Sequence, residues 1–173
     1  MITYNPAFDL YHTIWRMAHI LQRLESDEAF EVERLRIWDF YLLFPAMLYE
    51  VRIGRSEQEL TEARKTYISR THSPYEYEGD RRKLFEWLHP VQSSAMSCLV
   101  SCGILSKEAY LVGRISIVRP DVLTAFIGHS GKLTSQEQNT LSFLRMLSRH
   151  VSLSGNDGLK ARTHLLEYKY DAD

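Results

Sequence analysis

The sequence predicts a mostly helical α+β fold: a winged helix-turn-helix-like unit over about residues 80–118, with additional N- and C-terminal helices. The order of local signals carries this. A short helix, a tight His89-Pro90 connection, a helix closing at Gly103 and an alternating β-type run at 112–118 follow one another, as in a winged helix. Apolar residues recur at helical spacing on both sides of that unit. The 173 residues are 45% hydrophobic and 25% charged, the proportions of a soluble globular chain with a core. No linker, repeat or low-complexity tract divides it, so a single domain over 1–173 is expected.

Each element has its own warrant. Asn5 is a good N-cap, and Pro6 suits the first helical position, where its missing N–H costs nothing. Ala7, Leu10, Tyr11, Ile14, Met17, Ala18, Leu21 and Leu24 form the stripe of a first helix over about 6–24, widened by Trp15 and Ile20. A second helix runs from about Glu31 to Phe44, apolar nearly all round at its end, and Pro45 stops or kinks it. A further short turn is expected over 45–53. Asp39 lies inside the apolar run WDFYLLF. Burying a charge alone is costly, so Asp39 calls for a structural partner or a cap.

Ser56 and Glu59 read as a capping box opening a helix to about Ile68. Residues 69–79 read as a loop, and Asp80 caps a helix over 81–88. On the helix over 91–102, Val91, Ala95, Cys98, Leu99 and Cys102 are expected inward. Pro120–Ile127 is a short helix with Val122, Leu123 and Phe126 inside, and GHSGK at 128–132 is a loop. Thr134 and Glu137 form a second capping box, opening a helix to about His150. Residues 160–170 read as a closing strand.

Composition excludes several classes. Lys and Arg number 21 against 22 Asp and Glu, a formal charge of -1. Affinity for phosphates comes from accumulated basic residues, so the chain is no general polyanion binder. The longest apolar run falls well short of the roughly 20 residues that cross a bilayer, and the N-terminus lacks the basic-then-apolar pattern of a secretory signal. A cytoplasmic location without membrane contact is expected. Cys98 and Cys102 read as small buried residues rather than a disulfide or half a metal site.

The motifs of catalysis are not met. Gly131-Lys132-Leu133 breaks the phosphate-loop pattern where a Ser or Thr would hold Mg²⁺. His12 and His19 share a helix face, but no third ligand lies near them. No local signature selects a nucleophilic triad, so no catalytic residue, metal or cofactor is assigned. Nucleic-acid reading is tested by the would-be recognition helix VQSSAMSCLVSC, which has no Lys or Arg. Arg81, Arg82 and Lys83, with Lys107, Arg114 and Arg119 nearby, are the candidates for a backbone contact; a solvated surface is the simpler reading.

The opening ITYNPAFDLYHT, the segment ERLRIWDFYLLFP and the later winged-helix-like region together resemble the middle components of bacterial ABC-three-component systems, the type called middle component five. The resemblance extends over about residues 2–170. It implies a small accessory protein that works with an SMC-like ABC-type ATPase and a third, variable component, in systems directed against phage or other foreign DNA. It brings no catalytic residues with it. A non-enzymatic adaptor is therefore the leading expectation, with a winged-helix DNA-binding transcriptional regulator as the alternative. Trp15, Trp38 and Tyr41 are the candidate partner-binding residues, because aromatics dominate interface energies; the competing reading places all three in the core. Homo-oligomerisation and direct DNA contact stay open.

Overall fold

The computed structural model describes residues 5–24, 28–71 and 79–166. Asn5 caps only a short 3-10 turn, Pro6–Phe8, by accepting the Ala7 N–H at 3.0 Å. The helix proper, α1 (Leu10–Leu24), starts at a second cap. Asp9 Oδ1 accepts the His12 N–H at 2.8 Å, and its carbonyl accepts Thr13 N–H. Strand β1 (Phe30–Glu31) leads directly into α2 (Val32–Leu43). Every residue from Leu35 to Leu42 is buried, so α2 has no solvent face along that stretch. Pro45 ends it and opens a 3-10 turn, Pro45–Glu50.

Helix α3 (Gln58–Tyr67) begins one residue after Glu57, and the expected Ser56 box does not form. The Glu57 carboxylate reaches back to Gly54 N–H at 2.6 Å instead. Helix α4 (Arg81–Ser101) is continuous and contains Pro90. The expected 81–88 and 91–102 helices are thus one, and the tight turn of a helix-turn-helix is absent. Pro90 removes one ladder bond, while Leu88, Gln92, Ala95, Met96 and Leu99 are buried on both sides of it; packing outweighs the local break. Asp80 Oδ1 caps the start, accepting Arg82 N–H at 2.9 Å. Gly103, with φ +73°, closes the end in the left-handed region that favours glycine.

Beyond it come α5 (Lys107–Leu111), capped by Ser106, then β2 (Arg114–Ile115) and α6 (Pro120–His129). Strand β2 pairs antiparallel with β1, Phe30 opposite Ile115 and Glu31 opposite Arg114, and Leu105 bridges Ile117. The sheet is shorter than the 112–118 run because Val112 caps the end of α5 and Gly113 turns the chain at φ +74°. Helix α7 (Ser135–His150) has the expected capping box in both directions: Glu137 N–H to Thr134 Oγ1 at 3.2 Å and Thr134 N–H to Glu137 Oε2 at 2.7 Å. Residues 160–163 of the segment read as a closing strand lie in a helix, α8 (Leu159–Thr163). Gly158 is required at its start, since a Cβ there would stand 2.2 Å from the Ser154 carbonyl oxygen. Residues 167–170 of that reading, and 72–78 of the expected loop, lie outside the described residues.

The backbone divides into two compact units, Met1–Asp39 with Glu86–Lys132, and Phe40–Phe85 with Leu133–Asp173. The first packs α6 on α1 and α5 on β2. The second packs α3 on α7, and Arg64 of α3 donates to the carbonyls of Leu48, Tyr49 and Val51 to fix the 3-10 turn. The chain passes between the units three times: inside α2, inside α4, and between Lys132 and Leu133 ahead of α7. The architecture is α+β and mostly helical.

Candidate functional site

The first unit holds a buried polar cluster. Asp39 has no exposed surface, yet it is paired. Arg16 of α1 donates Nε to Asp39 Oδ1 at 2.7 Å and Nη2 to Oδ2 at 3.3 Å, and Nη2 also reaches Thr13 Oγ1. Gln92 of α4 donates to Asp39 Oδ2 at 3.0 Å and to the Arg36 carbonyl at 3.1 Å. Arg36 Nε returns a bond to Gln92 Oε1 at 3.1 Å. Burial lowers the Arg36 guanidinium from its ordinary value, opposed by the charges of Glu86 and Glu33. The expectation that Asp39 has a structural partner is met, and the cluster ties α1, α2 and α4 together.

That cluster also explains a misplaced face. Thr13 and Arg16 are on the buried side of α1, with Met17, Ile20 and Leu21. Tyr11, read as inward, is 81% exposed. Counting only apolar residues rotates the helix, because the charge that faces inward is counted as outward. The exposed Phe126 and Cys102 likewise depart from their inward readings, and Cys98 is half-buried; both thiols are free.

Of the three candidate aromatics, Trp38 and Tyr41 are fully enclosed, and they serve the core as the competing reading had it. Among the described residues no hydrogen-bond partner meets Trp38 Nε1 or the Tyr41 hydroxyl. Burial pushes the Tyr41 phenol well above its usual range. Trp15 is half-buried on α1. Its Nε1 donates to the Gly131 carbonyl at 2.8 Å, and its ring meets His19 edge-on with centroids 4.9 Å apart. His19 Nε2 approaches the same carbonyl at 3.3 Å. The loop is shorter than expected, since Gly128 and His129 belong to α6, and residues 130–132 are anchored to α1 through the Gly131 carbonyl.

The surface that sequence reasoning missed is apolar. The large hydrophobic side chains exposed among the described residues include Phe8 just before α1 and Tyr11 in its first turn, Leu111 and Val112 at the end of α5, Trp87 and Phe126. All of these, and Val118, belong to the first unit. A surface apolar residue has no partner within the sequence to betray it, so spacing alone reads Tyr11 and Phe126 as core.

The basic candidates separate as well. Arg81 is paired with Glu50, Nε to Oε2 at 3.0 Å, while Arg82 and Lys83 are exposed. Arg119 forms two hydrogen bonds to Asp121, and Arg114 faces Glu31 at 3.7 Å. In the second unit Arg162, nearly buried, holds Glu57 by two bonds at 2.6 and 2.9 Å and Asp157 at 2.5 Å. These bonds hold the Glu57 carboxyl below its usual range, helped by the Gly54 N–H.

Among the described residues no group of three or more His, Cys, Asp or Glu is arranged to hold a metal ion. No helix among them is long and apolar enough to cross a membrane. Comparison with curated proteins and with solved structures finds no match to the chain. One family model does match, that of the ABC-three component system Middle Component 5, over residues 2–171. With nearly the whole length covered, the chain belongs to that family of accessory middle components.

Proposed function

We propose that this protein is a non-enzymatic adaptor that docks onto the ABC-type ATPase and the third component of its system, in defence against phage or foreign DNA. Family membership over residues 2–171 is the observation that carries the reading. The uncovered apolar side chains add support. Scattered exposed hydrophobics are normal on any protein. Here the large exposed hydrophobics among the described residues all fall in one of two units, so that unit is the one with apolar side chains to offer a partner. Partner contact then rests on Phe8, Tyr11, Leu111 and Val112, with Trp15 at the margin.

The test is co-purification with the ATPase and third component encoded beside it. The tagged full chain is expected to retain at least one of them at micromolar concentration. Tyr11→Ala combined with Leu111→Ser is expected to lose that retention with an unchanged melting temperature. A folded chain that ignores both partners ends the adaptor reading.

A DNA-binding regulator without the helix-turn-helix turn is the second reading, favoured by the two exposed cations Arg82 and Lys83 at the head of α4. It predicts duplex retardation that weakens with salt and on neutralising either residue. An unshifted duplex at low salt excludes it.

A further inference from the structure

Pro90 sits in the middle of α4. It has no N–H for the Glu86 carbonyl, and its ring crowds that oxygen, so the hydrogen-bond ladder is interrupted. Arg36 of α2 lies across the interruption. Its Nε donates to Gln92 Oε1 at 3.1 Å, on the C-terminal side of the proline. Its Nη2 lies 4.0 Å from Glu86 Oε1, on the N-terminal side. Gln92 closes the grip by donating back to the Arg36 carbonyl and to Asp39, which Arg16 fixes in turn.

We propose that Arg36 is a splint: one side chain of α2 bridges the proline break in α4 and keeps the turns on either side of it in register. The arms differ in strength. Gln92 and Arg36 are buried, where hydrogen bonds are strong, whereas the Glu86 side chain is 51% exposed and its attraction is screened by water. The Gln92 arm therefore does most of the holding. The Glu86 arm is the one an outside cation can compete for. Helix α4 thus carries a yielding point that can be reached from solvent.

Amide hydrogen exchange on the full chain tests this. Arg36→Met keeps much of the volume and removes both arms. Exchange is expected to rise about tenfold or more over residues 86–94 and to stay within about twofold over 95–101. Adding Pro90→Ala restores the ladder and is expected to reverse the rise. Glu86→Gln, at a half-exposed side chain, is expected to give a smaller rise over the same residues. An even rise across α1, α2 and α4, no rise at all, or no reversal by Pro90→Ala overturns the splint. Should Arg36→Met not fold, Glu86→Gln with and without Pro90→Ala decides alone: a local, reversible rise supports the splint and its absence overturns it.

Discussion

Asp39 is the residue whose environment says most about this chain. It is fully buried and accepts from Arg16 and Gln92. Removing one member of a buried ion pair leaves the other charge uncompensated. Asp39→Ala is accordingly expected to lower stability by about 3–5 kcal/mol in urea unfolding. The need for a partner was legible in WDFYLLF; its identity, 23 residues upstream in sequence, was not, because Arg16 looks like any solvent-facing arginine. Glu57 shows the reverse, a residue that no motif marked and that tertiary structure engages. Its folded-state pKa is lowered, chiefly by the Arg162 hydrogen bonds, from an ordinary 4.5. A depressed carboxyl gives stability that is complete above the ordinary value and lost as pH falls through the folded one. Glu57→Gln is therefore expected to cost about 1.5–3 kcal/mol near neutral pH. The gap from wild type should close below about pH 4.5, read as urea midpoints across a pH series.

At the scale of elements, helix starts were readable where a side chain closes its own helix and unreadable where it is drawn elsewhere. Thr134 and Glu137 satisfy each other. Ser56 and Glu59 have the same spacing, but the neighbouring Glu57 is held by Gly54 and Arg162, and α3 starts beyond the box. The contrast gives a paired expectation. Thr134→Ala should lose about 1 kcal/mol, and Ser56→Ala should stay within about 0.5 kcal/mol of wild type; equal losses would contradict the capping seen here. Proline misled in a similar way. It ends a helix at Pro45 and is carried inside one at Pro90, although buried side chains lie on both sides of each, so the residue alone does not tell the two outcomes apart. The winged-helix reading depended on a turn at Pro90.

For the molecule as a whole, the division between core and face is the quantity to measure. Trp38→Ala empties a fully enclosed site and is expected to cost about 3–5 kcal/mol. Tyr11→Ala removes an 81% exposed ring and is expected to change stability by no more than about 0.5 kcal/mol. Thermal or chemical unfolding of the two side by side checks this, and similar losses would mean that Tyr11 is packed. By itself the sequence determined the helical character, most helix positions, the buried acid's need for a partner and the family resemblance. These rest on local spacing, capping chemistry and the cost of burying charge, all of which are written along the chain. Only the tertiary structure decided which way α1 faces, that α4 runs through Pro90, that residues 160–163 coil rather than extend, and which aromatics are sealed. Those outcomes depend on contacts between distant segments, where packing and the pairing of buried charge override local preference.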